Sequence, residues 1–85
     1  MYWIYILENI DDESWYIGYT TNLRRHVDEH SSGKGGQTTR RKYGWILIYC
    51  EGYKHQDDAK GRERYLKSGS GRKYLEEQLR NYLNK

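Results

Sequence analysis

Two tyrosines near the start of the chain have types and spacing that suggest chemistry. Tyr5 and Tyr16 lie in short runs rich in aromatic and β-branched residues, which predict the two strands of a hairpin. A turn centred between Ile10 and Asp11 would place Tyr5 opposite Tyr16 on one face of the sheet. Gly18, close by on the second strand, lets another group approach the backbone. Cross-strand packing alone also explains such a tyrosine pair.

A charged run after the second strand adds titratable groups. Leu23, His26, Val27 and His30 follow the spacing of one helical face. Arg25 lies next to His26 in sequence but about 100° away around a helix. The same run, "HVDEH", also fits the H-x-x-E-H zinc pattern. A catalytic zinc needs a third protein ligand, so this pattern is a weak alternative.

Glu63 is the acid whose position in the sequence is least expected. It lies between Ala59 and Leu66, on the side of a predicted helix that should face inward. A carboxylate there needs a partner or a metal ion. The alternative to a metal is an ion pair, for which the candidates are Arg24, Arg25 and Lys67.

Positive charge is concentrated in the later part of the chain. Residues 33–85 contain thirteen Lys and Arg against six acids, whereas residues 1–32 contain two Arg against six acids. Basic clusters interleaved with tyrosines suit a phosphate backbone, although a solvated surface has a similar composition. Arg72 and Lys73 follow "SGSG" at a predicted helix start, where backbone N–H groups favour phosphate. The best cluster of phosphate contacts is Lys34, Arg40, Arg41 and Lys42.

The elements that must position these residues follow the order ββα-β-αα, which predicts an α+β fold. The predicted strands cover 2–8, 14–19 and 45–51, and the predicted helices begin at Leu23 and cover 55–68 and 72–85. An Asp pair is expected to cap the second helix, and "GSG" at 69–71 is expected to break the chain before the third. The third strand is continuously apolar, which predicts that it is the better buried one.

Composition restricts the class of protein further. Eighty-five residues are enough for one domain, 1–85, with a small core. Cys50 is the sole cysteine, so no internal disulfide can form, which fits a reducing compartment. No apolar run reaches the roughly 20 residues of a membrane span, and no signal peptide is visible. We therefore expect a soluble, cytoplasmic protein with no membrane partner.

The ordered motifs resemble the GIY-YIG nuclease family over nearly the whole chain. "WIY" (residues 3–5) stands where the family has GIY, and "YIG" (residues 16–18) matches the second motif letter for letter. "YTTNLRR", "EHSSGKG", "TTRRKYGWILIYCE" and "RERYLKSGSGR" are similar to the small stand-alone bacterial members. The family also includes the nuclease domain of the excinuclease C subunit and phage homing endonucleases. The resemblance implies a three-stranded antiparallel sheet flanked by helices and metal-dependent hydrolysis of DNA phosphodiesters, in DNA repair or recombination.

The resemblance also implies roles for individual residues. Tyr5 matches the tyrosine that acts as general base or orients the attacking water, and Tyr16 the one that hydrogen-bonds near the scissile phosphate. Gly18 matches the glycine of the second motif, and His30 matches a histidine that tunes the proton of the first tyrosine. Glu63 matches the acid that binds one divalent metal, Mg²⁺ or Mn²⁺. Mg²⁺ often takes only one or two carboxylates, so a single Glu suffices.

One departure from the family pattern concerns catalysis directly. The family has an arginine eight residues after the YIG glycine, where this chain has His26. Arginine gives phosphate a permanent, bidentate charge, which histidine does not. Losing such a contact can reduce the rate by about 10²–10³. Arg25 is the adjacent substitute, and the alternative function is a non-catalytic nucleic-acid-binding module with the same fold.

Overall fold

The first strand of the chain lies at the centre of the sheet. The computed structural model describes residues 1–31 and 44–84. Strand β1 (Tyr2–Asn9) pairs antiparallel with β2 (Trp15–Thr20) on one side and with β3 (Trp45–Tyr53) on the other. The helices in the described residues are α1 (Leu23–Ser31), α2 (Gln56–Leu66), α3 (Gly69–Gln78) and α4 (Arg80–Leu83). This confirms the predicted α+β fold, a three-stranded antiparallel sheet flanked by helices.

Each face of the sheet packs against different helices, because successive residues of β1 point to opposite faces. Ile4 and Ile6 are fully buried on the face that carries α2 and α3. Tyr5 and Leu7 are buried on the other face, where α1 contributes Val27. The first tyrosine of the predicted site therefore lies on the α1 face.

The hairpin register differs from the prediction by two residues. Tyr5 pairs with Gly18, and Leu7 pairs with Tyr16. The turn is centred one residue later than expected, between Asp11 and Asp12. The Asn9 side chain organises it, since its Oδ1 accepts hydrogen bonds from the backbone N–H groups of residues 11 and 12, at 3.0 and 3.2 Å. A shift of two residues moves no side chain to the other face. Tyr5 and Tyr16 consequently remain on the same face as diagonal neighbours.

The prediction that the third strand is better buried was wrong. In β3 only Trp45 is buried, and Ile46 and Leu47 expose 44% and 40% of their surface. The reason is position, since β3 lies at one edge of the sheet, whereas β1 is covered on both faces. Strands without alternating polarity can thus occupy an edge.

Helix boundaries correct two further expectations. His55, not the Asp pair, is the N-cap of α2, and its Nδ1 accepts from the backbone N–H of Asp57 at 3.1 Å. The "GSG" segment does not break the chain but forms the first turn of α3, which Ser68 caps. The predicted last helix is instead two helices, since the backbone leaves helical geometry at Leu79. Within 1–31 and 44–84, we find no helix that is both long and apolar enough to cross a membrane.

Gly71 allows α3 to fold closely against the end of α2. A Cβ at this position would lie 1.9 Å from the Tyr65 carbonyl oxygen and 2.5 Å from Leu66 Cα. Gly71→Ala is therefore expected to lower the free energy of unfolding by roughly 2–4 kcal/mol, as measured by urea denaturation. Gly69→Ala is the matched control, because a Cβ there would meet nothing within 4 Å. Equal stability of the two variants would contradict this packing.

Candidate active site

The Tyr5 ring lies across the edge strand of the sheet. Tyr5 is 1% exposed, and a Cβ built on Gly18 would be only 2.4 Å from its Cζ and hydroxyl oxygen. Because Gly18 has no side chain, the ring can reach from β1 over β2. The absence of a side chain at Gly18 therefore directs the hydroxyl of a central-strand residue to the edge of the sheet.

Tyr16 joins Tyr5 on this face. The two ring centroids are 6.2 Å apart with an interplanar angle of 39°. The Tyr5 hydroxyl donates a hydrogen bond to the Tyr16 hydroxyl, which favours the neutral form of Tyr5. The two tyrosines predicted from the motifs therefore form a hydrogen-bonded pair.

Helix α1 brings His26 to the same tyrosine. Asn22 starts this helix, since its Oδ1 accepts from the Arg25 N–H at 3.1 Å. The His26 ring is half-buried, with its centroid 6.3 Å from that of Tyr5. His26 thus occupies a place from which it can influence groups bound beside Tyr5.

The other predicted residues of α1 differ in placement. Arg25 is exposed and forms an ion pair with Glu29 at 3.5 Å, with 64% and 40% of the two side chains exposed. His30 lies one turn after His26 on the same helix, but its side chain is outside the described part of the chain. The structure therefore brings His26, rather than Arg25, against the tyrosine pair.

Glu63 approaches the pair from the other face of the sheet. Its helix, α2, packs through Ala59 and Leu66 on the face opposite Tyr5. The Glu63 carboxylate nevertheless lies close enough to Tyr5 to raise the pKa of that phenol. Because the Tyr5 hydroxyl reaches the β2 edge, a side chain from the opposite face can meet it there.

An ion pair holds the Glu63 carboxylate. Its Oε2 accepts from Lys67 Nζ at 2.9 Å, one helical turn later. Of the three cations expected as alternatives to a metal, Lys67 is the one that makes this pair. Half of the Lys67 side chain is exposed, and such surface pairs add little to stability. The pair can therefore rearrange when another cation arrives.

Burial sets the protonation of Tyr5. Burial raises the pKa of its hydroxyl well above the usual value of 10.0, and the charges or hydrogen bonds of Tyr16, Glu63 and Glu29 raise it further. Tyr5 is consequently a neutral phenol at physiological pH. Only a positive charge placed nearby would favour its phenolate.

The Glu63 carboxylate at this edge is a ligand that suits a hard divalent cation. Among the described residues, no group of three or more His, Cys, Asp or Glu side chains could hold a metal ion. Glu63 supplies one carboxylate, and of the described residues only Lys67 pairs with it. Mg²⁺ retains most of its waters and binds through one or two carboxylates together with substrate phosphate. Glu63 fits that role, and the described residues offer no set of three zinc ligands.

A network behind Glu63 fixes the rotation of α2. The neighbouring Arg62 donates two hydrogen bonds to Glu51, from Nε at 2.9 Å and from Nη2 at 3.0 Å. Tyr53 donates to the same carboxylate at 2.7 Å, and Tyr49 donates to its other oxygen. Because Arg62 precedes Glu63, this clamp between α2 and β3 also sets the direction of Glu63.

The clamp predicts a pH-dependent stability. Burial alone would raise the pKa of Glu51, but hydrogen bonds from Arg62, Tyr49 and Tyr53 outweigh it and lower that pKa below 4.5. The carboxylate therefore stabilises the fold above pH 4.5 and loses this effect as the pH falls through its lowered pKa. Glu51→Gln is expected to reduce the free energy of unfolding by roughly 2–3 kcal/mol at pH 7.

Urea denaturation across a pH series tests this expectation. The difference between the parent and Glu51→Gln should shrink below pH 4.5. Glu77→Gln is the control, because its ion pair with Arg80 is on the surface. A difference that stays constant to low pH would contradict the clamp.

The predicted phosphate-binding residues are only partly described. Arg72 lies over the Trp15 ring, with its guanidinium carbon 3.7 Å from the ring centroid. Lys73, next to it, is exposed on α3. The cluster of residues 34 and 40–42 lies outside the described part of the chain. Sequence reasoning named Lys67 as a possible partner of Glu63, which fits their four-residue spacing, but it missed Trp15.

Comparisons with known proteins show the family of the chain. The family model described as "GIY-YIG catalytic domain" matches residues 1–76. A UPF0213 protein of Streptococcus pneumoniae serotype 4 is 43% identical over 65 residues, which are 76% of this chain and 65% of that protein. The UPF0213 protein BH0048 of Halalkalibacterium halodurans is 38% identical over 72 residues, covering 85% and 76% of the two chains. The chain thus spans just under two thirds of the streptococcal relative.

A solved structure gives the same fold. The solution NMR structure of the UPF0213 protein BH0048 from Bacillus halodurans has a TM-score of 0.54 and 35% sequence identity. The match covers 88% of this chain and 82% of that chain. The names of these relatives state no activity, so they support the fold and the family rather than a reaction.

Proposed function

Because the chain belongs to the GIY-YIG catalytic domain family, we propose that it is a metal-dependent endonuclease that hydrolyses DNA phosphodiester bonds. One observation supports the proposal: Tyr5 and Tyr16 are paired on one face of the sheet, and the Glu63 carboxylate is near enough for its charge to raise the pKa of Tyr5. A hydrogen-bonded phenol pair beside a carboxylate has both proton-handling groups and a ligand for a hard cation.

The metal in this proposal is Mg²⁺ or Mn²⁺, and Glu63 would hold it. When bound, such a cation polarises a phosphate oxygen and acidifies a nearby water or hydroxyl. Glu63 Oε2 is engaged by Lys67, and none of the described side chains pairs with Oε1. Binding therefore needs at most an adjustment of one surface ion pair.

Tyr5 would position the attacking water. As a neutral phenol it donates to Tyr16, and its oxygen would accept a hydrogen bond from the water. It becomes a base only when a nearby positive charge offsets the burial that raises its pKa. Tyr16, half-exposed at the edge, would then donate to a phosphate oxygen. In this proposal Tyr5 orients the water and Tyr16 binds the phosphate.

His26 would contact the phosphate from α1. Its ring lies against Tyr5, and it offers one hydrogen-bond donor when neutral. The arginine of the family pattern supplies a fixed charge and two parallel donors. We therefore propose a slow nuclease, in which histidine makes a weaker contact than arginine would.

A second function has its own support. His26 in place of arginine, together with the Glu63–Lys67 ion pair, suits a domain that binds nucleic acid without cleaving it. Both functions use the same basic surface, so binding alone does not separate them. In either case the substrate or ligand is DNA contacted through its phosphates, with little sequence preference and a steep dependence on salt.

Nicking of supercoiled plasmid separates the two. With Mg²⁺ or Mn²⁺, the parent protein should convert supercoiled plasmid to nicked circles, and EDTA should stop the reaction. Tyr5→Phe should slow nicking by roughly 10²-fold or more, since it removes the hydroxyl that orients the water. Equal nicking with and without EDTA, or by Tyr5→Phe and the parent, would overturn the proposed mechanism.

A further inference from the structure

A groove runs along the start of β2, beside the tyrosine pair. Its volume is ≈490 Å³, and it lies between this edge strand and the junction of α2 and α3. Apolar walls come from Ile17 and Leu66, and Tyr16 lines it at the side of the candidate active site. The remaining lining residues that matter here are Trp15, Lys67 and Arg72. None of these three is needed for the proposed chemistry at Tyr5.

One wall of the groove is a rigid aromatic surface. The Trp15 indole N–H donates to Glu8 Oε2 at 3.0 Å, and Tyr82 of α4 donates to the other oxygen of Glu8. Glu8 is only 4% exposed, so this carboxylate anchors both aromatic side chains. The indole orientation is therefore fixed before any ligand binds.

Arg72 covers the face of that indole. Its guanidinium carbon is 3.7 Å from the Trp15 ring centroid, a distance typical of a stacked cation–π contact. Arg72 also pairs with Glu76 at 3.5 Å, and both side chains are about half exposed. The guanidinium thus lies over the indole, and the half-exposed Arg72 side chain lines the groove. A second planar group can stack on the guanidinium.

Lys67 supplies a second positive charge in the groove. The Lys67 side chain is 53% exposed. Its ammonium can therefore leave Glu63 and turn to an incoming anion at little cost in free energy. The groove thereby combines the planar guanidinium of Arg72, apolar walls and the ammonium of Lys67. A nucleotide has the matching parts, a flat base and a phosphate.

We propose that this groove binds one unpaired nucleotide of the DNA strand next to the cleaved phosphate. The base stacks on the Arg72 guanidinium against Trp15, and its phosphate contacts Lys67. The proposal rests on the proposed function in that DNA is the ligand, and it narrows the substrate to DNA with unpaired nucleotides beside a duplex. A fully paired base stays inside its stack and leaves the groove empty.

Binding in EDTA tests the groove without requiring cleavage. Fluorescence anisotropy would compare a labelled duplex with the same duplex carrying a short single-stranded flap. Arg72→Lys keeps the charge but removes the planar stack, so it should weaken binding of the flapped DNA about tenfold and leave the plain duplex within about twofold. Arg80→Lys is the matched control, since Arg80 is 63% exposed and pairs with Glu77 at 3.0 Å but does not line the groove.

Removing the bases gives a second readout. A flap of abasic nucleotides keeps the phosphates, so the parent should bind it about tenfold more weakly than the normal flap. Arg72→Lys should show no such difference. Equal binding of all flaps by the parent, or equal behaviour of Arg72→Lys and Arg80→Lys, would overturn the proposal.

The outcome is independent of the nuclease assay. If the parent nicks plasmid with Mg²⁺ but Arg72→Lys binds flapped DNA as well as the parent does, the groove proposal is refuted and the proposed function is kept. Selective loss of flap binding in Arg72→Lys, without any nicking, would support the groove and refute the nuclease.

Discussion

Glu63→Gln is expected to reduce Mg²⁺-dependent DNA cleavage by about 10³-fold or more while the fold and DNA binding persist. Glutamine keeps the size of the side chain but replaces the carboxylate that would hold the cation with a neutral amide, a poor ligand for Mg²⁺. The substitution also removes the ion pair with Lys67. The lysine of that pair is half exposed and the pair spans one helical turn, so the loss of stability should stay at about 0.5 kcal/mol.

Plasmid nicking and DNA-binding titrations on the same preparations measure both effects. Glu77→Gln is the matched control, because Glu77 makes a similar surface pair with Arg80 on α3 and α4, away from Tyr5. It should cleave like the parent. Retention of full activity by Glu63→Gln would mean that the cation, if one is used, is held elsewhere, and the site described above would be wrong.

His26→Arg is expected to have the second-largest effect, a gain in cleavage of roughly 10²-fold. The His26 ring lies 6.3 Å from that of Tyr5, so an arginine at this position starts from the right face of α1. Its guanidinium would give the phosphate a permanent charge and two parallel hydrogen bonds. Initial rates of plasmid nicking at saturating Mg²⁺ provide the measurement.

Two further variants serve as controls for this result. His26→Gln retains a hydrogen-bond donor without a charge, so it should not accelerate cleavage. The double variant with Glu63→Gln should lose the gain, since the arginine acts only together with the metal site. If His26→Arg cleaves no faster than the parent, the phosphate contact belongs to a different cation, and the role given to His26 fails.

The tyrosine site illustrates how much the sequence could predict. The motifs identified Tyr5, Tyr16 and Gly18, and their shared face followed from the alternation of side chains along strands. The exact partners did not follow, because the Asn9 side chain organises a turn centred one residue later than the polar residues alone indicated. A register error of two residues leaves every side chain on its face, so the prediction that Tyr5 and Tyr16 share a face was still correct.

Glycines near the helices show why other features could not be predicted. Local propensity treats "GSG" as a break, yet Gly71 lies inside α3 because a side chain there would strike the carbonyl of Tyr65. That requirement comes from the packing of α3 on α2, which a local pattern does not contain. The edge position of β3 is a similar case, since an apolar run does not reveal which strand is central.

Contacts between segments that are distant in the chain also could not be predicted from the sequence pattern. Glu63 was identified as an unusual acid, but its approach to Tyr5 depends on a ring that crosses the edge strand above Gly18. The fixed Trp15 depends on Glu8, its partner across the hairpin, and on the distant Tyr82. Such arrangements arise only after the sheet and helices have assembled.

A time course of supercoiled plasmid with Mg²⁺, run on the parent and on His26→Arg with matched EDTA samples, tests the central claim most directly. We expect slow nicking by the parent, faster nicking by His26→Arg, and none in EDTA. If both proteins bind the plasmid but leave it supercoiled at every time point with Mg²⁺ or Mn²⁺, the domain is a non-catalytic binding module and the nuclease proposal is contradicted.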